Sequence, residues 1–269
     1  MLKHLNFSSI RFRLLLLIIL TSVPILLFTI IDAVEERSVA TAQIQAKTLQ
    51  LTQLTVSNQE QWIEGARQLL VSLAHLPAVR NRDSATCSKF FAELHKNYPL
   101  YANLFAATPE GDLFCSAVTL QQPVNSADLA WFTRAVSSRG FAIGDYQAKG
   151  RITGVPVLVA AYPIYDDEGN LQAVVSASLD LAWLNEQGAK IQPSPDTVFL
   201  AIDRDGTILA RYPDPEKWVG QSLPETGIIK KILSQQEGTG QTTGVDGITR
   251  LYAFAPVRNQ GTNTGLFMS

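Results

Sequence analysis

Two stretches of this chain, FAATPEGDLF at 105–114 and LAIDRDGTIL at 200–209, carry one pattern: an apolar run, a polar turn closed by glycine, and a second apolar run. Later landmarks keep step with them at offsets of roughly 92 to 97 residues, Gly150 with Gly247, Tyr162-Pro163 with Ala255-Pro256, and Gly169 with Gly261. A repeat of that length is a whole supersecondary unit used twice. In the first copy, Ala102 to Ala107, Asp112 to Val118, Pro156 to Tyr162 and Leu171 to Ser178 are short, apolar and bounded by turn residues, so they read as strands. Glu110-Gly111, Lys149-Gly150 and Glu168-Gly169 are the expected hairpins, with glycine supplying positive φ. Asp128 to Ser137 reads as a helix with Trp131, Phe132 and Ala135 on one side, and Asp180 to Gln192 as the helix joining the copies. The expected fold class is α+β, two tandem subdomains with antiparallel sheets over 81–190 and 191–269. Measured against the first copy, the second runs out soon after Gly261, so its final strand is expected to be incomplete and the chain to be an N-terminal fragment.

The N-terminal part is organised differently. Leu14 to Ile31 is apolar and uncharged, and as a helix it covers ~27 Å, close to the thickness of a bilayer's hydrocarbon core. Pro24 is tolerated in such a helix when Ser or Thr side chains re-satisfy the freed carbonyl, and Thr21 and Ser22 are at hand. A cleaved signal would need a shorter core and a small-x-small site, which is not evident here. Lys3, Arg11 and Arg13 precede the run, so residues 1–13 are expected in the cytoplasm, 14–31 in the plasma (inner) membrane and everything beyond outside, periplasmic in a bacterium. From Asp32 to Leu76, Ile44, Leu51, Leu54, Ile63, Ala66, Leu69, Leu70, Leu73 and Leu76 recur at helical spacing, and Pro77 ends the run. This long stalk helix, spanning 32–80 with its end, must bury its stripe against something, and a homodimer through the stalk is the expected partner. Asp83 or Ser84 caps a further helix running to about Asn97.

Composition narrows the function classes. The 269 residues hold 22 basic and 24 acidic side chains, for a net charge of −2, and no basic block outside the membrane invites nucleic acid. Cys87 and Cys115 both fall on the oxidising side, where a disulfide is the expected pairing and two buried thiols the alternative. His4, His75 and His95 stand apart, so neither a catalytic Ser-His or Cys-His set nor a metal or cofactor site is expected. Asp203-x-Asp205-Gly206 opens like a calcium loop, but Tyr212 stands where the closing acid belongs, so a turn is expected.

The order and spacing of these pieces resemble the double Cache sensor domains of bacterial transmembrane receptors, especially those feeding histidine kinases and diguanylate cyclases. The resemblance covers nearly the whole chain. It rests on the basic N-terminus and anchor, the long helix, the cysteine pair, Gly111-Asp-Leu-Phe-Cys115, Asp128-x-x-Trp131-Phe132, Gly144-Asp-Tyr146, Gly154-x-Pro156 leading to Tyr162-Pro163, and Asp205-Gly206 leading to Arg211. It implies a ligand pocket in the membrane-distal first copy and a relay role for the second. Amino-acid-binding members carry an Arg two residues before the pocket Trp and an Asp in the strand after the third hairpin. Here those positions are Leu129 and Ser178, so that charge clamp is missing and the ligand class stays open.

The candidate ligand residues are Asp128, Trp131, Phe132, Tyr146, Arg151, Tyr162 and Ser178, a mix of aromatic wall and polar anchors. The leading reading is an extracytoplasmic small-molecule sensor whose signal passes through the stalk and membrane helices. The alternative is a membrane-tethered protein-interaction module without a small-molecule ligand. A reporter active only in the cytoplasm, fused after Leu76, is expected to be silent; activity there would reverse the topology.

Overall fold

The computed structural model describes residues 22–23, 49–50, 52–53, 56–57, 59–190 and 197–269. It separates 1–48 from a compact unit over 49–269. The apolar run at 14–31, apart from Ser22 and Val23, and the stalk before residue 49 lie outside the described residues. Among the described residues no helix is long and apolar enough to cross a membrane.

Helix α1 (59–74) buries Ile63, Ala66, Leu70, Leu73 and Ala74 at helical spacing and leaves Gln61, Gly65 and Gln68 exposed. The described residue pairs before it, back to 49–50, are also helical. Pro77 both stops α1 and opens the short α2 (Pro77–Arg80), because proline has no N–H to give to a helix interior but fits a first turn. Asp83 caps α3 (Ser84–His95), accepting from the Thr86 N–H at 3.1 Å.

The first sheet contains β1 (Tyr101–Ala107), β2 (Leu113–Ser116), β3 (Ala142–Ile143), β4 (Val157–Tyr165) and β5 (Leu171–Asp180), in the order β2-β1-β5-β4-β3. Helix α4 (Ala130–Ser138) lies between β2 and β3 in the chain and buries Trp131, Phe132 and Ala135. Helix α5 (Leu181–Lys190) leads to the second copy. There β6 (Phe199–Ile202), β7 (Ile208–Tyr212), β8 (Gly238–Thr243), β9 (Thr249–Asn259) and β10 (Thr262–Met268) repeat the order as β7-β6-β10-β9-β8, with α6 (Pro215–Trp218) and α7 (Gly227–Gln235) between β7 and β8. The repeat read from the sequence is thus two antiparallel sheets of one topology.

Two expectations change. The second sheet is not short of a strand: a tight turn at Gln260 and Gly261, both at positive φ, returns the chain at once, and β10 pairs with both β9 and β6. Strand β10 pairs with β6 at Phe267 and Met268, and Ser269 continues the pairing with Leu200 through two backbone hydrogen bonds of 3.0 and 2.9 Å. The turn expected at Lys149-Gly150 is instead a long connection before β4, in which positive φ falls on Gly154. Gly150 is required for a different reason, since a Cβ there would sit 2.9 Å from Thr153 Oγ1 and Val157 Cγ2.

Helix α1 touches both sheets. Its apolar stripe shares one core with Leu158, Ala160 and Ala177 of the first sheet and with Ala201, Leu209, Ala255 and Val257 of the second. Before and along α1, Thr52 donates to Ala253 O (3.4 Å), Glu60 accepts from the Arg258 N–H (2.8 Å), and Glu64 accepts from Asn259 (2.9 Å). Cys87 of α3 and Cys115 of β2 are disulfide-bonded, with Cα atoms 5.8 Å apart. Closing a loop of this length stabilises the fold by about 3.5 kcal/mol in the chain-entropy model.

The Glu64 contacts give a pH prediction. Hydrogen bonds from Arg67, above all, and from Gln68 and Asn259 outweigh desolvation and hold the Glu64 carboxyl down at about 2. A depressed acid contributes stability above its unfolded pKa that is lost as pH falls through the folded value, so the window runs from about 4.5 down to about 2. In urea titrations across that range, Glu64→Gln is expected to flatten the acid loss by about 1 kcal/mol, the partly exposed pair being screened by solvent.

Candidate functional site

Strand alternation decides which side chains can meet. On β4, Val157, Val159 and Ala161 join Phe105, Trp131 and Phe132 on the α4 side, whereas Leu158, Ala160 and Ile164 face α1. Trp131 is buried at 1 % exposure and packs edge-on to Phe105 and Phe132, with ring centroids 5.4 and 5.7 Å away. Each such pair adds about 0.5–1.5 kcal/mol to area burial.

Beside this aromatic cluster, on the same side of the sheet, lies a narrow cleft whose cavity volume, about 10 Å³, is room for about one water molecule. Phe105, Trp131 and Val159 form its apolar wall, and Ser126, Gln147 and Ser178 supply polar edges. The connection before β4 closes the other side with Gly150, Arg151, Ile152 and Thr153. Thr153 Oγ1 is buried there with no hydrogen-bond partner among the described residues. Arg151 clasps Asp128 through two bonds of 2.7 and 2.6 Å and donates to Asn125 O at 2.6 Å, which ties the connection to the segment entering α4. The Arg151 guanidinium holds the Asp128 carboxyl below the usual range. Leu129 and Ser178, which stand where amino-acid-binding relatives were expected to carry charge, both line this cleft.

Of the residues singled out from the sequence, Trp131, Arg151 and Ser178 meet at the cleft, and Asp128 reaches it through Arg151. The other three lie elsewhere. Phe132 is core, at 6 % exposure. Tyr146 lies against Gly220 of the second copy, where a Cβ would be 2.5 Å from its hydroxyl, and burial raises its pKa. Tyr162 has the even parity of Leu158 and Ala160, so it projects toward α1 and lines a different cleft. Gln147 and Thr153 were missed; their only sequence signal was proximity to Gly144 and Gly150.

The matching side of the second sheet is occupied by its own charges. Arg211, its side chain 2 % exposed, donates to Asp246 Oδ2 at 2.9 Å and Pro213 O at 2.6 Å, and its guanidinium lies 4.9 Å from the Trp218 ring centre. Arg250 holds the same Asp246 at 2.9 Å. Burial pushes Asp246 up, but Arg250 and Arg211 more than offset this and leave it below its ordinary value. The Asp203 segment is a turn: Asp203 Oδ1 accepts from the Asp205 and Thr207 N–H groups at 3.0 and 2.8 Å. A further space between α1 and the two sheets, lined by Trp62, Ile63, Leu158, Leu181 and Val257, is almost wholly apolar and offers little to orient a polar ligand.

Trp131 therefore serves the core as much as the cleft. Trp131→Ala is expected to cost about 3–5 kcal/mol of stability in urea unfolding, while Arg151→Gln, at an exposed site, is expected to leave the midpoint nearly unchanged. Equal effects would place Trp131 outside the core.

Comparison with known proteins agrees with this architecture. The family model for the Cache domain (dCache_1) matches residues 36–269. Sporulation kinase D of Bacillus subtilis (strain 168) is 22% identical over 197 residues, covering 73% of this chain, and the match spans 38% of that relative's length. The extracellular domain of the putative histidine kinase rpHK1S-Z16 superposes with a TM-score of 0.72 at 18% identity, covering 86% of this chain and 94% of that one. The ligand-binding domain of the Pseudomonas fluorescens chemoreceptor CtaA, solved with L-isoleucine, gives a TM-score of 0.66 at 18% identity, covering 87% and 93%. With two sheets of one topology joined along a long helix and a family match over most of its length, the chain belongs to the Cache-domain family.

Proposed function

We propose that this chain is the sensor part of a membrane-bound signal-transduction receptor that binds a small molecule in the cleft of its first subdomain. The observation that carries the reading is the asymmetry between the copies. The first sheet keeps a cleft with aromatic walls, a partnerless buried Thr153 hydroxyl and Ser178, while the second fills the matching side with the Arg211–Asp246 pair. Such a lining, apolar with a few convergent polar groups, suits a small organic ligand, for which the connection before β4 has to move aside and widen the cleft. With Leu129 and Ser178 in place of charges and Arg151 already held by Asp128, its chemistry favours neutral polar groups over a zwitterion clamp. The chemoreceptor CtaA, solved with L-isoleucine, and the kinase among the relatives support a sensing role.

In this reading residues 14–31 anchor the chain in the plasma membrane with the N-terminus cytoplasmic, and the subdomains lie outside, the first one distal. Ligand binding shifts a population of states that α1 passes toward the membrane, in a homodimer formed along the stalk. A histidine kinase or diguanylate cyclase is the proposed output of the longer protein.

A thermal-shift screen of the full chain against organic acids, amines and nucleobases tests the proposal, since a ligand that binds only the folded state raises the melting temperature by mass action. At least one compound is expected to do so, with the shift reduced in Ser178→Ala, which removes a polar edge of the cleft, and kept in Arg250→Gln on the second sheet. A shift lost only in the second-sheet variant would move the site to the other copy.

A further inference from the structure

We infer that a second cleft, on the α1 side of the sheets, is a binding site for a small multivalent oxyanion carrying carboxylate or phosphate groups. It is a larger space, about 570 Å³, and both copies line it. Arg67 comes from α1, Arg134 from α4, Tyr162 from β4, Arg204 from the turn between β6 and β7, and Asn263 and Thr264 from β10. Three guanidiniums enter this lining and no carboxylate does.

The charges are not fully compensated from outside. Glu64 holds Arg67 and Asp145 holds Arg134, each at 2.6 Å, but Arg204 makes no ion pair among the described residues. Arg204 is nevertheless held in place. Its Nη2 donates to Thr264 O at 2.9 Å, and its guanidinium lies on Gly265, where a Cβ would come within 2.6–2.8 Å of Nη2, Cζ and Nε. Gly265 is at φ +81°, a backbone conformation that favours glycine, and the bare glycine leaves the guanidinium room to lie against it. An exposed arginine is thereby held with donors to spare beside two more guanidiniums. The Tyr162 hydroxyl, half-buried, adds a donor with no hydrogen-bond partner among the described residues.

Guanidinium forks match the planar or tetrahedral oxygens of carboxylate and phosphate, and charge-assisted bonds of this kind are the strong ones. With Arg67 and Arg134 each paired to a carboxylate, the positive charge left to attract an anion is that of Arg204, and the spare N–H donors of the other two add hydrogen bonds to it. An occupant reaching from Arg134 and Tyr162 to Arg204 and Asn263 touches both copies, so it would hold the two sheets together across the face that α1 covers. This site lies on the opposite side of β4 from the cleft beside Trp131, and the two can be tested separately.

The test is isothermal titration calorimetry of the full chain at low salt with succinate, citrate and inorganic phosphate, each against potassium chloride of matched ionic strength. Saturable binding of at least one is expected, the carboxylate and phosphate arms telling the two sources apart. Arg204→Gln, a surface change, is expected to weaken that binding roughly tenfold or more, and Tyr162→Phe by a smaller factor. Ser178→Ala, at the first cleft, should leave it within about twofold. The proposal is overturned if none of the three ions gives saturable heat beyond the chloride control, or if Arg204→Gln, folded by circular dichroism, binds as the parent does.

Discussion

The burial of one helical stripe against two sheets is the interaction on which the rest depends. Ile63, Ala66, Leu70, Leu73 and Ala74 give α1 an apolar face that a lone helix could not keep in water, and each sheet presents a matching face of small aliphatic residues. Because a single helix serves both, the two copies share one core on that side while each keeps a private core on the other. The Glu60 and Glu64 bonds to β9 then fix where along the helix the second sheet sits. Helix α1 is therefore the element that both sheets share.

Covering both faces of each sheet explains the composition of its strands. Strands β4 and β5 read as near-continuous apolar and small residues rather than as a clean alternation, since neither face meets water. The private cores then diverge. In the first copy Trp131 and its neighbours leave space for Ser178 and Thr153 to face a cleft; in the second, Arg211, Asp246, Arg250 and Trp218 fill the matching side with a paired charge. Such a pair contributes little net stability once desolvation is counted, but breaking it leaves an uncompensated buried charge, so the second copy resists opening on that side.

Part of the candidate cleft's lining was readable in the residues, and the limits are physical. Trp131, Ser178 and the Asp128–Arg151 neighbourhood follow from helix periodicity and from motif order, which are local or nearly local properties. Tyr162 and Tyr146, singled out with them, lie outside that cleft. Parity along β4 sends Tyr162 to the α1 side, and the connection after β3 lays Tyr146 on Gly220. Side chains one residue apart on a strand are separated by the whole sheet, so composition without register assigns them to the wrong face.

By itself the sequence determined the repeated α+β unit, the helix spacing of α1, a cap at Asp83 or Ser84 and the turn at Asp203, because each depends on neighbours a few residues away or on a pattern written twice. Tertiary structure alone decided that β10 completes the second sheet, that Arg211 fills the side where its counterpart leaves a cleft, and that three arginines far apart in the chain line a common opening. Those outcomes depend on how long elements cross and which faces they cover. Spacing along the chain cannot encode that until the apolar stripe of α1 has bound both sheets.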